Sequence, residues 1–136
     1  MANSVPPRLA TGTLGEILVQ MRLLQFGVQA APPIVDTGND LVALRGHAVR
    51  TIQVKTSSNN IPHSRRLPDS YDVLALVVLS SLDGIVSLDK SRIFLISCKL
   101  VRETKRNFSA LEPHELRHDT VAQSMWLLDK LFRDKR

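Results

Sequence analysis

The stretch from Gly38 to Lys55 constrains the fold more than any other. Two apolar, β-branched runs, Leu41-Val42-Ala43-Leu44 and Val49-Arg50-Thr51-Ile52-Gln53-Val54, flank Gly46-His47. Alternation on both sides of a glycine-containing turn is the pattern of a β-hairpin. With Gly46-His47 as a two-residue loop, Arg45 pairs with Ala48, and counting back sets Asp40 opposite Gln53. A four-residue loop from Arg45 to Ala48 keeps this pairing, whereas a three-residue loop slips it by one. In the first register Lys55 shares a face with Gln53, because residues two apart in a strand point the same way. A carboxylate, an amide and an ammonium then converge, while Leu41, Ala43, Ile52 and Val54 supply a core on the other face.

With 136 residues and 43% apolar content, the chain fits one globular domain over 1–136. The net charge of +5 and a pI near 9.9 favour a polyanionic partner. Cys98 is the only cysteine, which excludes an intrachain disulfide and a cysteine-based zinc site and points to a reducing interior. No run approaches the roughly 20 apolar residues of a membrane span. A cytoplasmic, nucleoid-associated protein with no membrane partner is the expectation.

Residues 1–8 read as a flexible arm. From Leu9, the recurrence of Leu14, Ile17, Leu18, Met21 and Leu24 predicts an amphipathic helix ending near Phe26-Gly27. Ala31 to Gly38 is a prolyl connection with room for a short edge strand. Residues 56–70 read as a long basic loop containing Arg65 and Arg66, and Lys105-Arg106 forms a second basic pair within an irregular stretch, Lys99 to Pro113. Tyr71 to Leu79 is apolar almost throughout, as in a central strand buried on both faces. Asp83-Gly84 marks a turn and Ile85 to Leu88 a returning strand. Arg92 to Ser97 fits either a strand or a helical turn. Glu115 to Phe132 predicts a C-terminal helix, with Val121, Met125, Leu128 and Phe132 as its apolar stripe. The expected class is α/β: a central mixed sheet flanked by an N-terminal and a C-terminal helix.

If Asp40, Gln53 and Lys55 meet, the chemistry is that of an oxygen-ligated cation. Magnesium takes near-octahedral oxygen ligands and is commonly held by one or two carboxylates plus substrate phosphate. Asp40 offers one carboxylate, Gln53 an amide oxygen and Val54 a main-chain carbonyl, and Glu16 adds a second carboxylate if its helix abuts this sheet edge. Lys55 brings a positive charge beside an attacking water and a pentacovalent phosphate. Two plainer readings stand beside this one. Thr13-Leu14-Gly15-Glu16 has capping-box spacing, and Gln53 and Lys55 also fit an ordinary polar strand face.

Gly38-Asn39-Asp40 and Gln53-Val54-Lys55, preceded by Gly15-Glu16, resemble the motif of the PD-(D/E)XK nuclease superfamily, the restriction-endonuclease-like fold. Gly12 to Thr56 is especially similar to group I intron homing endonucleases with a Gln-X-Lys motif, and to archaeal Holliday junction resolvases. The resemblance implies an αβββαβ core and a catalytic set of Glu16, Asp40, Gln53 and Lys55. It also implies a magnesium-dependent DNA endonuclease, with manganese as a substitute metal, working as a homodimer or higher homo-oligomer. Asn39 stands where the motif has proline, and Gln53 where it has an acid; the second change removes a negative charge from the metal site. Arg65, Arg66, Lys105 and Arg106 are the expected DNA-phosphate contacts. The alternative is a catalytically weak or inactive nuclease-fold protein that binds DNA, or a domain that uses the fold as a scaffold.

Overall fold

The structure, a computed structural model, describes residue 4 and residues 7–35, 38–62, 66–105 and 110–133, with the backbone alone for residues 7–9. Helix α1 (Pro7–Gln25) is followed by strands β1 (Gln29–Ala31), β2 (Leu41–Arg45), β3 (Ala48–Ser58), β4 (Val73–Leu82) and β5 (Ile85–Ser97). Helix α2 (Cys98–Thr104), a 3-10 turn (Glu112–His114) and helix α3 (Val121–Leu131) complete the described chain. The strands form one five-stranded sheet in the order β1-β2-β3-β4-β5. β3 and β4 are parallel and all other neighbours antiparallel. The fold is α/β, a mixed sheet with helices from both ends of the chain.

The hairpin has the register of a two-residue loop: Arg45 pairs with Ala48 and Leu41 with Ile52. Gly46 takes φ of 60°, a conformation that a side chain disfavours and this tight turn requires. Leu41, Ala43, Ile52, Val54, Val73, Ala75 and Val77 face one core, closed by Leu18, Val19 and Leu23 of α1 and by Leu127 and Leu128 of α3. Leu74, Leu76, Phe94 and Ile96 face a second core, with Tyr71 and Val101 of α2. β4 is therefore buried on both sides, as its continuous apolar run requires.

Several boundaries differ from the sequence reading. α1 begins at Pro7, so residues 7 and 8 belong to the helix and not to the arm, with proline at the first position, where no N–H is needed. Its core face is Leu18, Val19 and Leu23 together with Gly15 and Arg22, while Leu14, Ile17, Met21 and Leu24 are exposed. Arg92 to Ser97 is strand, continuous with β5. Glu115 and Leu116 do not start the last helix. Glu115 bridges Phe94 at the edge of β5, Leu116 N–H donates to Ile93 O at 2.9 Å, and α3 begins only at Val121. The β3–β4 connection, residues 59–72, contains no helix among the described residues, a departure from the αβββαβ order. Among these residues no helix is long and apolar enough to cross a membrane.

Candidate active site

β3 runs on past the end of β2, and the candidate site sits at this fork. Asp40 N–H donates to Ile52 O at 3.1 Å, one residue before the first β2 pair, Leu41 with Ile52. Its carboxylate then turns across the gap, where Oδ2 accepts the Val54 N–H at 2.8 Å. In an antiparallel ladder the N–H and C=O of one residue point to the same side, so the Val54 carbonyl faces this gap too.

Helix α1 delivers the second carboxylate. Gly15 lies against Thr56 of β3 so closely that a Cβ there would overlap the threonine hydroxyl. A mid-helix glycine is unfavourable by about 1 kcal/mol relative to alanine, and this close approach is what it permits. Glu16 follows, half-buried. Burial, and after it the charge of Asp40, raises its pKa above the ordinary 4.5. The two carboxylates are thus near enough for one to resist ionisation of the other. Glu16 lies well inside a helix that starts at Pro7, so it does not cap the helix start.

Gln53 stands opposite Asp40 by continuation of the register and is buried, and its Oε1 has no hydrogen-bond partner. Lys55, two residues on and half-buried, lies on the same strand face. Among the described residues four buried side-chain polar atoms are orphaned, and three belong to Asn39, Gln53 and Thr56 around this fork. An unsatisfied buried polar atom costs about 1–3 kcal/mol, and an ordered water or an ion at the fork would satisfy these. Among the described residues no three His, Cys, Asp or Glu side chains gather as a metal cluster. The donors at the fork are two carboxylates, an amide oxygen and a peptide carbonyl, and all-oxygen donors suit magnesium or manganese.

Arg66 and Lys105 are the two expected phosphate contacts among the described residues, and they lie on different segments. Asn39 Nδ2 donates to Ser70 O at 3.1 Å, and Gly38 approaches Pro68, so the end of the 59–72 connection lies beside Asp40. Arg66, in this segment, is exposed. Lys105, the C-cap of α2 with φ of 51°, lines a cavity of about 550 Å³ with Leu67, Asp69 and Arg102. Arg65 and Arg106 lie outside the described residues. Another cavity, of about 830 Å³ between α2 and α3, contains none of Glu16, Asp40, Gln53 or Lys55.

Sequence reasoning gave no role to Thr56 or Arg102 and read Asn39 only as the residue in the motif's proline position. Asn39 ties the hairpin to the connection, Thr56 seats the helix, and Arg102 donates to Asp69 O at 3.2 Å. The one sequence signal was Gly15, a glycine inside a helical pattern, which points to close backbone approach.

No protein-family model matches the chain, and no curated protein matches it. Among solved structures, a bacterial homing endonuclease is similar over 71% of this chain and 69% of its own, with 17% identity and a TM-score of 0.48.

Proposed function

We propose that the protein is a metal-dependent DNA endonuclease whose site is the β2–β3 fork. The observation that carries this reading is the meeting of Glu16 and Asp40 beside the orphaned Oε1 of Gln53. A cation shared by the two carboxylates would lift the mutual penalty on their charge and satisfy the buried amide oxygen. In this reading Glu16, Asp40, Gln53 and the Val54 carbonyl hold magnesium, or manganese in its place. When bound, the ion supplies polarisation of a phosphoryl oxygen and a lowered pKa for water. Asp40 is pre-set for this work by its bond to Val54 N–H, and Lys55 shares a strand face with Gln53. From there Lys55 orients the attacking water and offsets charge that builds on the phosphate. Arg66 and Lys105, with Arg65 and Arg106, would hold the DNA backbone, and Arg102 joins them by position.

The neutral Gln53 favours a second reading, a nuclease-like protein that binds DNA and cuts it weakly or not at all. Incubation with magnesium or manganese and plasmid, linear duplex or four-way junction DNA separates the two. Cleavage that Asp40→Ala and Lys55→Ala each abolish, with DNA binding retained, supports the endonuclease. Binding without cleavage of any of these substrates supports the second reading. Absence of both cleavage and salt-sensitive binding removes the DNA assignment altogether.

A further inference from the structure

The cavity of about 830 Å³ between α2 and α3 has no part in the fork, and its lining is of two kinds. The buried Tyr71 and Leu127, with the half-buried Cys98, Leu100 and Leu131, make an apolar floor. Around it stand Lys99, Arg102, Lys130 and Arg133, all exposed. Asp72 and Glu103 share the lining, but Asp72 Oδ2 accepts the Thr51 N–H at 2.9 Å and Glu103 faces Lys99 at 4.0 Å. Arg50 is occupied by carbonyls at the end of α3, Leu131 O at 2.9 Å and Arg133 O at 2.6 Å. The rim keeps a surplus of positive charge. His114 adds a group of another kind: burial, and after it the charge of Lys130, lowers its pKa below the ordinary 6.5. Its imidazole is therefore neutral near neutral pH and offers one donor and one acceptor. Small-molecule sites are recesses of about 300–1,000 Å³ with apolar walls and a few placed polar groups, and this cavity has that make-up.

The place of the cavity in the fold says which ligand it suits. It shares Tyr71 and Arg102 with the cavity of about 550 Å³ that Lys105 lines, so the two adjoin along α2. Ser70, also in its lining, accepts the Asn39 Nδ2 hydrogen bond at 3.1 Å, next to Asp40. Arg50 and Gln53 are three residues apart in β3, about 10 Å. A DNA strand held at the fork by Arg102 and Lys105 therefore has this recess beside it. An apolar floor suits the flat face of a base, and a cationic rim suits its phosphate. A base paired within a duplex does not reach into such a recess, so the nucleotide has to be unpaired. We propose that the cavity between α2 and α3 binds one unpaired nucleotide, its base on Leu100, Leu127 and Leu131 and its phosphate on Lys99 and Arg102. The same chemistry arrives in a DNA strand or as a free nucleotide, and the position beside the fork favours the strand. In that form the assignment rests on the endonuclease reading and narrows its substrate class to DNA with an unpaired nucleotide near the cleaved bond.

Fluorescence anisotropy in EDTA, where no metal-dependent cleavage intervenes, compares a perfect duplex with the same duplex carrying one unpaired adenine. The wild-type chain should bind the second about tenfold more tightly. Cys98→Trp and Leu131→Trp fill the cavity from α2 and from α3, and each should bind the two duplexes alike, with circular dichroism reporting its fold. Lys99→Ala with Lys130→Ala changes exposed side chains only and should lower the preference to about threefold or less; if both tryptophan variants unfold, this pair decides. Calorimetric titration with deoxyadenosine monophosphate reads the other source. Uptake by the wild-type chain that the substitutions remove, with no preference between duplexes, assigns the cavity to a free nucleotide. Neither preference nor uptake overturns the proposal, as does a preference or an uptake that the folded variants retain. The perfect duplex separates the two readings: its binding without any preference or uptake leaves the DNA assignment of the fork standing and removes only the nucleotide cavity.

Discussion

Gly15 of α1 and Thr56 of β3 are in such close register that a Cβ on Gly15 would overlap Thr56 Oγ1 and stand 2.8 Å from the threonine Cβ. This contact sets the height of Glu16 above the sheet edge. Gly15→Ala should therefore displace the helix. It gains helix propensity of about 1 kcal/mol but forces overpacking worth about 1–3 kcal/mol, so a net loss of stability is expected in urea unfolding. Cleavage should fall with it, and Thr56→Gly added to Gly15→Ala should restore part of both. Wild-type stability and activity in Gly15→Ala alone would show that the contact does not position Glu16.

Glu16 links stability to pH in an unusual direction for a carboxylate. Its folded pKa is raised by burial and then by Asp40, whereas the unfolded chain titrates near 4.5. The folded state binds this proton more tightly, so the group's stabilising contribution is complete below about pH 4.5 and is lost as pH rises through the raised folded value. Glu16→Gln removes the penalty. At neutral pH without metal the variant should be more stable than wild type, and the difference should vanish on acidification below about pH 4.5. Magnesium should raise the melting temperature of wild type and do so less for Glu16→Gln. Cation binding by wild type should weaken on acidification sooner than an ordinary carboxylate pair would.

The hairpin was legible because a two-residue Gly46-His47 loop leaves one pairing for every residue down to Asp40. The central strand was legible because Val73 to Leu79 has no polar face to hide. The buried face of α1 was not. Periodicity locates a helix, but the side turned inward here holds Gly15 and Arg22, which read as polar or neutral, beside Leu18, Val19 and Leu23, while the equally apolar Leu14 and Leu24 face out. Arg22 is tolerated inside because its guanidinium reaches Leu116 O, a contact 94 residues away that no local pattern encodes. The start of α3 failed for the same reason. Glu115 is drawn to the sheet edge by Phe94 and by two bonds from Arg92, at 2.7 and 3.2 Å. α2 did leave a local mark, since Ser97 accepts Leu100 N–H at 3.2 Å as a serine N-cap, but a seven-residue helix has too few turns to show a period.

Gln53 should trade stability against cation binding. Its Oε1 is buried without a donor, a loss of about 1–3 kcal/mol. Gln53→Met keeps the volume and removes the orphan, so the metal-free protein should gain about 1 kcal/mol in urea unfolding. The same variant should bind magnesium more weakly in calorimetric titration. Gln53→Glu should do the reverse, destabilising the metal-free chain by adding a third carboxylate beside Asp40 and Glu16 and tightening magnesium. If neither substitution moves cation affinity, Gln53 is a structural residue and not a ligand.

Asp40 combines two roles that two substitutions can separate. Its Oδ2 holds the Val54 N–H at 2.8 Å, and its negative charge acts on Glu16. Asp40→Asn keeps a carbonyl acceptor for Val54 and removes the charge. It should stay within about 1 kcal/mol of wild-type stability, because relief of the like-charge contact with Glu16 offsets the weaker bond. Asp40→Ala leaves the Val54 N–H without its acceptor at the strand edge and should lose about 1–3 kcal/mol. Cleavage and magnesium binding should disappear in both. The comparison of the two in urea, with and without magnesium, then reports the backbone role as the difference between variants and the metal role as their shared loss. Cleavage retained by Asp40→Asn would confine Asp40 to the first role and move the cation site away from the fork.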